Sequence, residues 1–244
     1  MDNSSGVRLS ILILNWNGTT DTSNLIRQIA DQASTIPSSD LLIETLVLDN
    51  GSSEPLPDWW SAIEGVSVTR LEENIGYSGG MSLLAGEACG TYLWLLNNDT
   101  TLAPNSLADV LAVLDDGFVG ARLPVVYNED GSIQSRDSTW SPVLGWRAGK
   151  VAQLEHAPIF GDIFVAPILN RFLVHDLKLL PSAFHTYGED LDACYALAMC
   201  GYPVVRAPSI VLFHRKSSSK PRDPLVRYIF DCQGVRNILA SAMI

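Results

Sequence analysis

From residue 9 to about residue 124, apolar runs of strand length alternate with amphipathic stretches of helix length. This alternation predicts an α/β chain built on a doubly wound, mostly parallel sheet. Two further observations support that class. The runs over residues 41–48 and 92–96 are nearly continuous in apolar residues, as expected of strands buried on both faces. Each ends abruptly in a polar cluster, Asp49-Asn50-Gly51-Ser52 and Asn97-Asn98-Asp99-Thr100. The C-terminal ends of parallel strands open onto the crevice where such sheets bind ligands, so these clusters are candidates for chemistry as well as for turns.

Residues 9–14 form the first expected strand, which ends at Asn15-Trp16-Asn17-Gly18, and Thr20 or Asp21 can cap a helix that buries Leu25, Ile26 and Ile29. Strands follow over 41–48 and 66–71, with Trp59-Trp60 between them as a short core segment. The glycine-rich stretch 74–80 leads into a helix over about 81–89, then a strand over 92–96 and a helix over 104–114 with Pro104 at its start. Past residues 118–123 the rhythm changes. A hairpin is expected over 125–133 around Asn128-Glu129-Asp130-Gly131, and irregular structure over 137–155. A strand over 159–168 and helices over 170–179 and 189–200 come next, the latter with Leu191, Cys194, Leu197 and Ala198 inward. Gly201 is placed to close that helix in the left-handed conformation. Short strands over 204–205 and 210–213 and a final helix over 225–243 complete the small antiparallel subregion and the C-terminus.

The 244 residues, 47% of them apolar, suffice for one large domain. A net charge of −11 argues against a nucleic-acid partner. The charge is unevenly spread, because residues 201–244 hold seven basic side chains against Asp223 and Asp231. That basic part suits a phosphate or an anionic headgroup and allows peripheral membrane association. Cys89, Cys194, Cys200 and Cys232 lack metal-ligand spacing and read as reduced, mostly buried thiols. No apolar run approaches the roughly 18 residues of a membrane span, which leads to the expectation of a cytoplasmic protein, soluble or peripheral at the inner face of the membrane.

The ordered set ILNWNG, LVLDNGS, ENIGYSGG, YLWLLNNDT, YGEDLDACYALAMCGYPV and a later His214 resembles the family 2 glycosyltransferases, in particular their rhamnosyltransferase-like branch with the GT-A fold. The resemblance covers about residues 9–215. It implies inverting transfer of a sugar from a nucleotide diphosphate sugar to a hydroxyl of a glycan or lipid-linked polysaccharide precursor, assisted by Mg²⁺ or Mn²⁺. The donor it allows is dTDP-rhamnose, a UDP-sugar or a GDP-sugar. It also divides a GT-A domain over 1–224 into a nucleotide-binding half, about 1–124, and an acceptor half, about 125–224, with a C-terminal helix over 225–244 packed on it.

Carried over residue by residue, Asn15, Asn17, Asp49, Asn74, Gly76 and Tyr77 match the nucleotide-contacting loops, with Asp49 facing the base or ribose. Gly79-Gly80 would let the backbone approach the ligand closely. Asn97-Asn98-Asp99 stands where the family has its D-x-D motif, Asn97 replacing the first acid. Asp99 is then the principal cation ligand, with His214 as a second, while Asn97 is free to bind ribose. Taken alone, Asn-Asn-Asp-Thr is also a plain turn sequence, and so is Asp-Asn-Gly-Ser. Glu189-Asp190 matches the acidic pair whose Asp is the base, although acids in a first helical turn also complement the helix dipole. The basic stretch from Arg215 to Lys220 has the composition of a loop that orders over a diphosphate, or of a solvated surface loop. Two alternatives stand beside this reading. One is a glycosyltransferase-like binding module without turnover; the other is a sugar-phosphate nucleotidyltransferase, whose early glycine-rich signature Asn15-Trp16-Asn17-Gly18 does not provide.

Overall fold

Leu9, Ile11 and Ile13 of the first strand, β1 (Leu9–Asn15), join one hydrophobic cluster and Leu12 joins another, and all four side chains are fully buried. A period of two on a strand covered on both sides produces this division. Each such side chain contributes about 1.5–3 kcal/mol through burial. The computed structural model describes residues 8–37, 43–135, 138–141, 145–148, 165–184 and 188–215. The expected C-terminal helix, Lys216 to Lys220, His156, His185, Tyr187 and Cys232 lie outside the described residues.

After β1 come α1 (Thr19–Ala33), β2 (Ile43–Asn50), a 3₁₀ turn (Asp58–Ala62), β3 (Val66–Leu71) and α2 (Gly76–Glu87). Then follow β4 (Tyr92–Asn97), β5 (Thr100–Leu102), α3 (Ser106–Asp115) and β6 (Ala121–Asn128). A two-stranded antiparallel ribbon, β7 (Ser138–Ser141) and β8 (Gly145–Ala148), precedes β9 (Ile168–Asn170), α4 (Arg171–Asp176), α5 (Glu189–Met199) and β10 (Val204–His214). The main sheet has the order β3-β2-β1-β4-β9-β6-β10-β5. Its first four strands are parallel, β9 runs antiparallel between β4 and β6, β10 is parallel to β6, and β5 is antiparallel to β10. This is an α/β fold on a mixed, mostly parallel sheet, as the alternation predicts. One face packs against α2, α4 and α5, the other against α1, α3 and the 3₁₀ turn. Strand β6 runs across residue 124, so both halves of the chain share one sheet.

Several expectations need correction. Helix α2 begins at Gly76, five residues before the expected start, because its glycines serve packing. A Cβ on Gly80 would lie 2.5 Å from Leu14 Cδ1 and 3.2 Å from Leu48 Cδ2, so the helix sits directly on β1 and β2. Gly79-Gly80 therefore faces Ile75 and the sheet, where the ligand was expected. Pro104 precedes α3, whose N-terminal cap is Asn105 with φ 67°, and Gly18, not Thr20 or Asp21, occupies the cap position of α1. The segment 137–155, expected to be irregular, contains the β7-β8 ribbon. The two short strands expected near the end are one strand, β10, with a shift of register between Ala207 and Val211 that accommodates Pro208. Cys89 and Cys200 are exposed and only Cys194 of the described thiols is buried. On α5, Ala193 is buried with Cys194 and Leu197, whereas Leu191 and Ala198 are half-buried.

The Asn128 turn is found as expected, with Gly131 N donating to Asn128 O at 2.9 Å and Ile133 bridging back to Tyr127. Gly201 has φ 79°, and the Tyr202 amide donates to Leu197 O at 2.9 Å, closing α5 as a left-handed cap. Among the described residues, no helix is long and apolar enough to cross a membrane.

Candidate active site

Asn15 and Asp49 end β1 and β2 as register partners, which brings two side chains 34 positions apart into contact. Asn15 Nδ2 donates to Asp49 Oδ1 at 2.7 Å, and the Ser52 hydroxyl donates to the same oxygen. Asp49 Oδ2 lies 3.2 Å from Arg70 Nε without a hydrogen-bond partner, an ion pair that lacks hydrogen-bond alignment. The Asp49 side chain is fully buried, whereas that of Arg70 is 43% exposed. Asp49 is thus the floor of this corner, and Arg70 and the exposed Asn17 are what it presents outward. Asn17, at φ 51°, accepts from the Ser53 amide at 2.9 Å and donates its own amide to Ser52 Oγ at 2.8 Å.

The neighbouring residue organises the second loop. Asn50 donates to Asn74 Oδ1 at 3.0 Å and to Gly76 O at 3.1 Å, and it accepts from the Ile75 amide at 3.0 Å. Asn74 in turn accepts from the Gly76 amide at 2.8 Å. Gly51, with φ 75°, lets the two loops touch, since a Cβ there would stand 2.6 Å from the backbone carbon of Glu73.

At the end of β4, Asn98 Nδ2 donates to Thr22 Oγ1 at 3.0 Å, and Thr22 Oγ1 donates to Asn15 Oδ1 at 2.8 Å. A relay of side chains therefore links the Asn97-Asn98-Asp99 turn to Asp49. Gly18 lies under it, where a Cβ would fall 2.4 Å from Asn98 Nδ2. Asn97 Oδ1 is buried with no hydrogen-bond partner. Asp99 Oδ1 lies 2.9 Å from His214 Nε2, and both side chains are largely buried. The short strand β5 makes this contact, by pairing Thr100 with His214 in antiparallel register. Arg215, next in the chain, donates its amide to Asp99 O at 3.1 Å and its guanidinium to Asp21 in the first turn of α1.

A third group gathers at the start of α5, whose cap is Gly188 with φ 94° and whose first turn carries Glu189, Asp190 and Asp192. Acids there complement the helix dipole. Burial, reinforced by the charge of Asp190, pushes the Glu189 carboxyl up to about 8, and its Oε2 is buried without a hydrogen-bond partner. Asp190 is half-buried and accepts from the Leu191 amide at 2.8 Å. The Tyr77 hydroxyl is also buried without a partner. Burial and then the charges of Glu189 and Asp190 raise its pKa above the ordinary phenol value, which places it in the field of the acid pair. Tyr77, in the first turn of α2, is thus near enough to the start of α5 to feel its acids.

The donor set at Asp99 and His214 fits a divalent cation. A carboxylate and an imidazole are both ligand types that such a cation takes, and the 2.9 Å contact between Asp99 Oδ1 and His214 Nε2 brings the two to one place. The unpartnered oxygen of Asn97 is an acceptor that a ribose hydroxyl or a hydrated cation would satisfy. Among the described residues, no group of three or more His, Cys, Asp or Glu side chains could hold a metal unaided. A hard cation that draws its remaining ligands from water and substrate phosphates does not require one.

The structure brings Asn15, Asn17 and Asp49 together, Asn74, Gly76 and Tyr77 together, and Asp99 with His214. Arg70, Thr22 and Gln134, whose side-chain amide lies within hydrogen-bond reach of His214 Nδ1, were not singled out in the sequence, and Asn50 and Ser52 were named only as members of the polar cluster after β2. Thr22 carried a faint signal, as a polar residue on the inward stripe of α1, where it is fully buried.

Three comparisons bear on this arrangement. A curated protein of Sinorhizobium fredii, described as uncharacterized protein y4gI, is 28% identical over 200 residues, 72% of this chain. The chain spans 22% of the length of that relative. Among solved structures, GalNAc-T7 with UDP, GalNAc and Mn²⁺ superposes with a TM-score of 0.71 at 18% identity, over 98% of this chain and 48% of that one. The mannosyltransferase PcManGT of Pyrobaculum calidifontis, in complex with GDP-Man and Mn²⁺, has a TM-score of 0.66 at 17% identity, covering 99% and 66%. S. aureus TarS 1-349 in complex with UDP-GlcNAc has a TM-score of 0.63 at 16% identity, covering 96% and 66%. At these identities the likeness is one of fold, the GT-A-like α/β fold. The sequence profile described as glycosyl transferase family 2 matches residues 10–173, more than half of the chain, and the chain belongs to that family.

Proposed function

We propose that this chain is a metal-dependent inverting glycosyltransferase that moves a sugar, rhamnose among the candidates, from a nucleotide diphosphate sugar to a hydroxyl of a glycan or lipid-linked precursor. The observation that carries the reading is the pairing of Asp99 with His214 at 2.9 Å, at the strand ends that also hold Asn15, Asp49 and the unpartnered Asn97. The solved relatives named above were crystallised with nucleotides or nucleotide sugars, two of them with Mn²⁺.

In this reading Arg70 and Asn17, fixed by Asp49 and Ser52, receive the base, and Asn97 receives the ribose. The Asn74-Gly76 loop borders the nucleotide, and Asp99 and His214 hold the cation. When bound, Mg²⁺ or Mn²⁺ supplies positive charge against the diphosphate leaving group. Acid and base roles at α5 follow from the two environments. Glu189, buried and held toward its neutral form, is a poor base near pH 7. Asp190 is the more accessible carboxylate. Asp190 takes the proton of the acceptor hydroxyl as its oxygen bonds to the anomeric carbon. The bond from that carbon to the diphosphate breaks, and the nucleoside diphosphate leaves with the electron pair. A single displacement of this kind inverts the anomeric centre. The basic C-terminal part suits peripheral contact with an anionic membrane surface that carries the acceptor.

Thermal shift with UDP-, GDP- and dTDP-sugars, each with and without Mn²⁺, tests the reading. The correct donor at 100 times its dissociation constant stabilises the fold by about 2.7 kcal/mol. This effect is expected to require Mn²⁺ and to disappear in Asp99→Ala. Equal nucleotide affinity in Asp99→Ala and parent across a Mn²⁺ titration would remove the metal assignment.

A further inference from the structure

We propose that Gln134 is a positioning residue for His214, whose amide rotates to serve either tautomer of the imidazole and so lets Nε2 pass from Asp99 to a divalent cation. The proposal rests on the metal reading of Asp99 and His214 given above. Gln134 is buried, and both ends of its amide lie within reach of His214 Nδ1, Nε2 at 2.9 Å and Oε1 at 3.1 Å. On the other side of the ring, His214 Nε2 lies 2.9 Å from Asp99 Oδ1. The ring thus stands between a partner that only accepts, the carboxylate, and one that can donate or accept.

The consequence follows from counting protons. Without a cation, a neutral ring places its proton on Nε2, donates to Asp99, and takes a hydrogen bond at Nδ1 from the Gln134 NH₂. To ligate a cation through Nε2, the ring must carry its proton on Nδ1 instead. Rotation of the Gln134 amide then presents its oxygen to Nδ1–H, so Nδ1 keeps a partner in both states and the ring keeps one proton throughout. A carbonyl or a hydrophobic side chain in this place would favour one state or leave Nδ1 unpaired.

The backbone holds Gln134 firmly while its amide turns. The Gln134 amide N–H donates to Val126 O at 2.8 Å, and the adjacent Ser135 donates its amide to the same oxygen at 3.1 Å. Ser135 Oγ accepts from the Val126 amide at 2.8 Å. The turn over 128–132 thus returns the chain against β6, two strand positions from where β6 pairs Asn128 with His214.

The test uses Mn²⁺ alone, titrated into the full chain and read by electron paramagnetic resonance, on parent, Gln134→Leu, Gln134→Glu and His214→Ala. Loss of a partner of a ligating His costs about 10- to 100-fold in metal affinity, and Gln134→Leu is expected to show it. Gln134→Glu retains an acceptor for Nδ1–H and is expected to bind at least as tightly as the parent. Nitrogen-15 spectra, assigned by difference from His214→Ala, should show the His214 proton on Nε2 in metal-free parent and on Nδ1 with Mg²⁺. Parent-like Mn²⁺ affinity in Gln134→Leu, while His214→Ala loses binding, would overturn the proposal and leave the metal site standing. Equal weakening in the Leu and Glu variants would reduce Gln134 to packing and also overturn it. Unchanged binding in His214→Ala would remove the metal reading itself and this proposal with it.

Discussion

Asn15 and Asp49 are opposite each other at the ends of β1 and β2 and share a hydrogen bond of 2.7 Å. Through Thr22 the same Asn15 side chain reaches Asn98, so the corner that carries Arg70 and the turn that carries Asp99 belong to one buried network. Such networks are stiff when fully satisfied, and a break at one point is felt along them.

Asp49→Ala is therefore expected to act on both binding and stability. It removes the shared acceptor of Asn15 and Ser52 and the ion-pair partner of Arg70, leaving buried donors unsatisfied at about 1–3 kcal/mol. Because Asp49 is fully buried, an effect on nucleoside affinity is expected to pass through Arg70 and Asn17. Urea denaturation and calorimetry with a free nucleoside measure the two effects. Thr22→Val should destabilise by a comparable amount, and the double variant should fall short of the sum, since the two residues share Asn15. Parent-like nucleoside affinity in Asp49→Ala would take this corner out of the binding site.

Strands β1, β2 and β4 were legible because their apolar runs are nearly continuous and end in clean polar breaks. Val66–Leu71 has the bounds its residues suggest, and β4 differs by one residue. The start of α2 was not legible, since glycine costs about 1 kcal/mol in a helix interior, and Gly79-Gly80 look like loop until Leu14 and Leu48 are seen beneath them. Strand β10 was split for a similar reason, as a bulge at Pro208 is indistinguishable in sequence from a break. Asp99, His214, Asn15 and Asp49 could be picked out by their positions at strand ends. Arg70 and Gln134 could not, because what distinguishes them is their long-range partners: Asp49 lies 21 positions from Arg70, and His214 lies 80 from Gln134. Only the sheet order and the Asn128 turn create those contacts.

Glu189 gives a pH dependence of stability with a definite sign. Burial raises its folded pKa to about 8 from 4.5, so the unfolded chain releases this proton first. The stabilising contribution is fully present below pH 4.5 and is lost as pH rises through about 8. Glu189→Gln keeps the neutral shape without a titratable proton. Urea denaturation of parent and variant from pH 4 to pH 9 should show the parent losing stability relative to Glu189→Gln across that window. A parent and variant that run parallel would show that Glu189 is solvated when ionised, contrary to its buried, unpartnered Oε2.

Asp190 separates a catalytic role from a structural one. A general base acts on the chemical step, so its removal should lower kcat by roughly 10²- to 10⁴-fold and leave donor affinity within a few fold. Asp190→Asn is the appropriate change, because the amide oxygen can still accept from the Leu191 N–H that Asp190 Oδ1 holds at 2.8 Å, while basicity is abolished. If Asp190 served only the dipole of α5, the same substitution would cost no more than about 1 kcal/mol and spare turnover. Thermal stability and transfer rate measured on one preparation distinguish the two. Glu189 is not expected to substitute as base near neutral pH, since burial holds it toward the protonated form. A residual rate in Asp190→Asn that rises as pH is taken through about 8 would mark Glu189 as the auxiliary base, and near-parental turnover at pH 7 would assign the base elsewhere, with Asp192 in the same helical turn next to be tested.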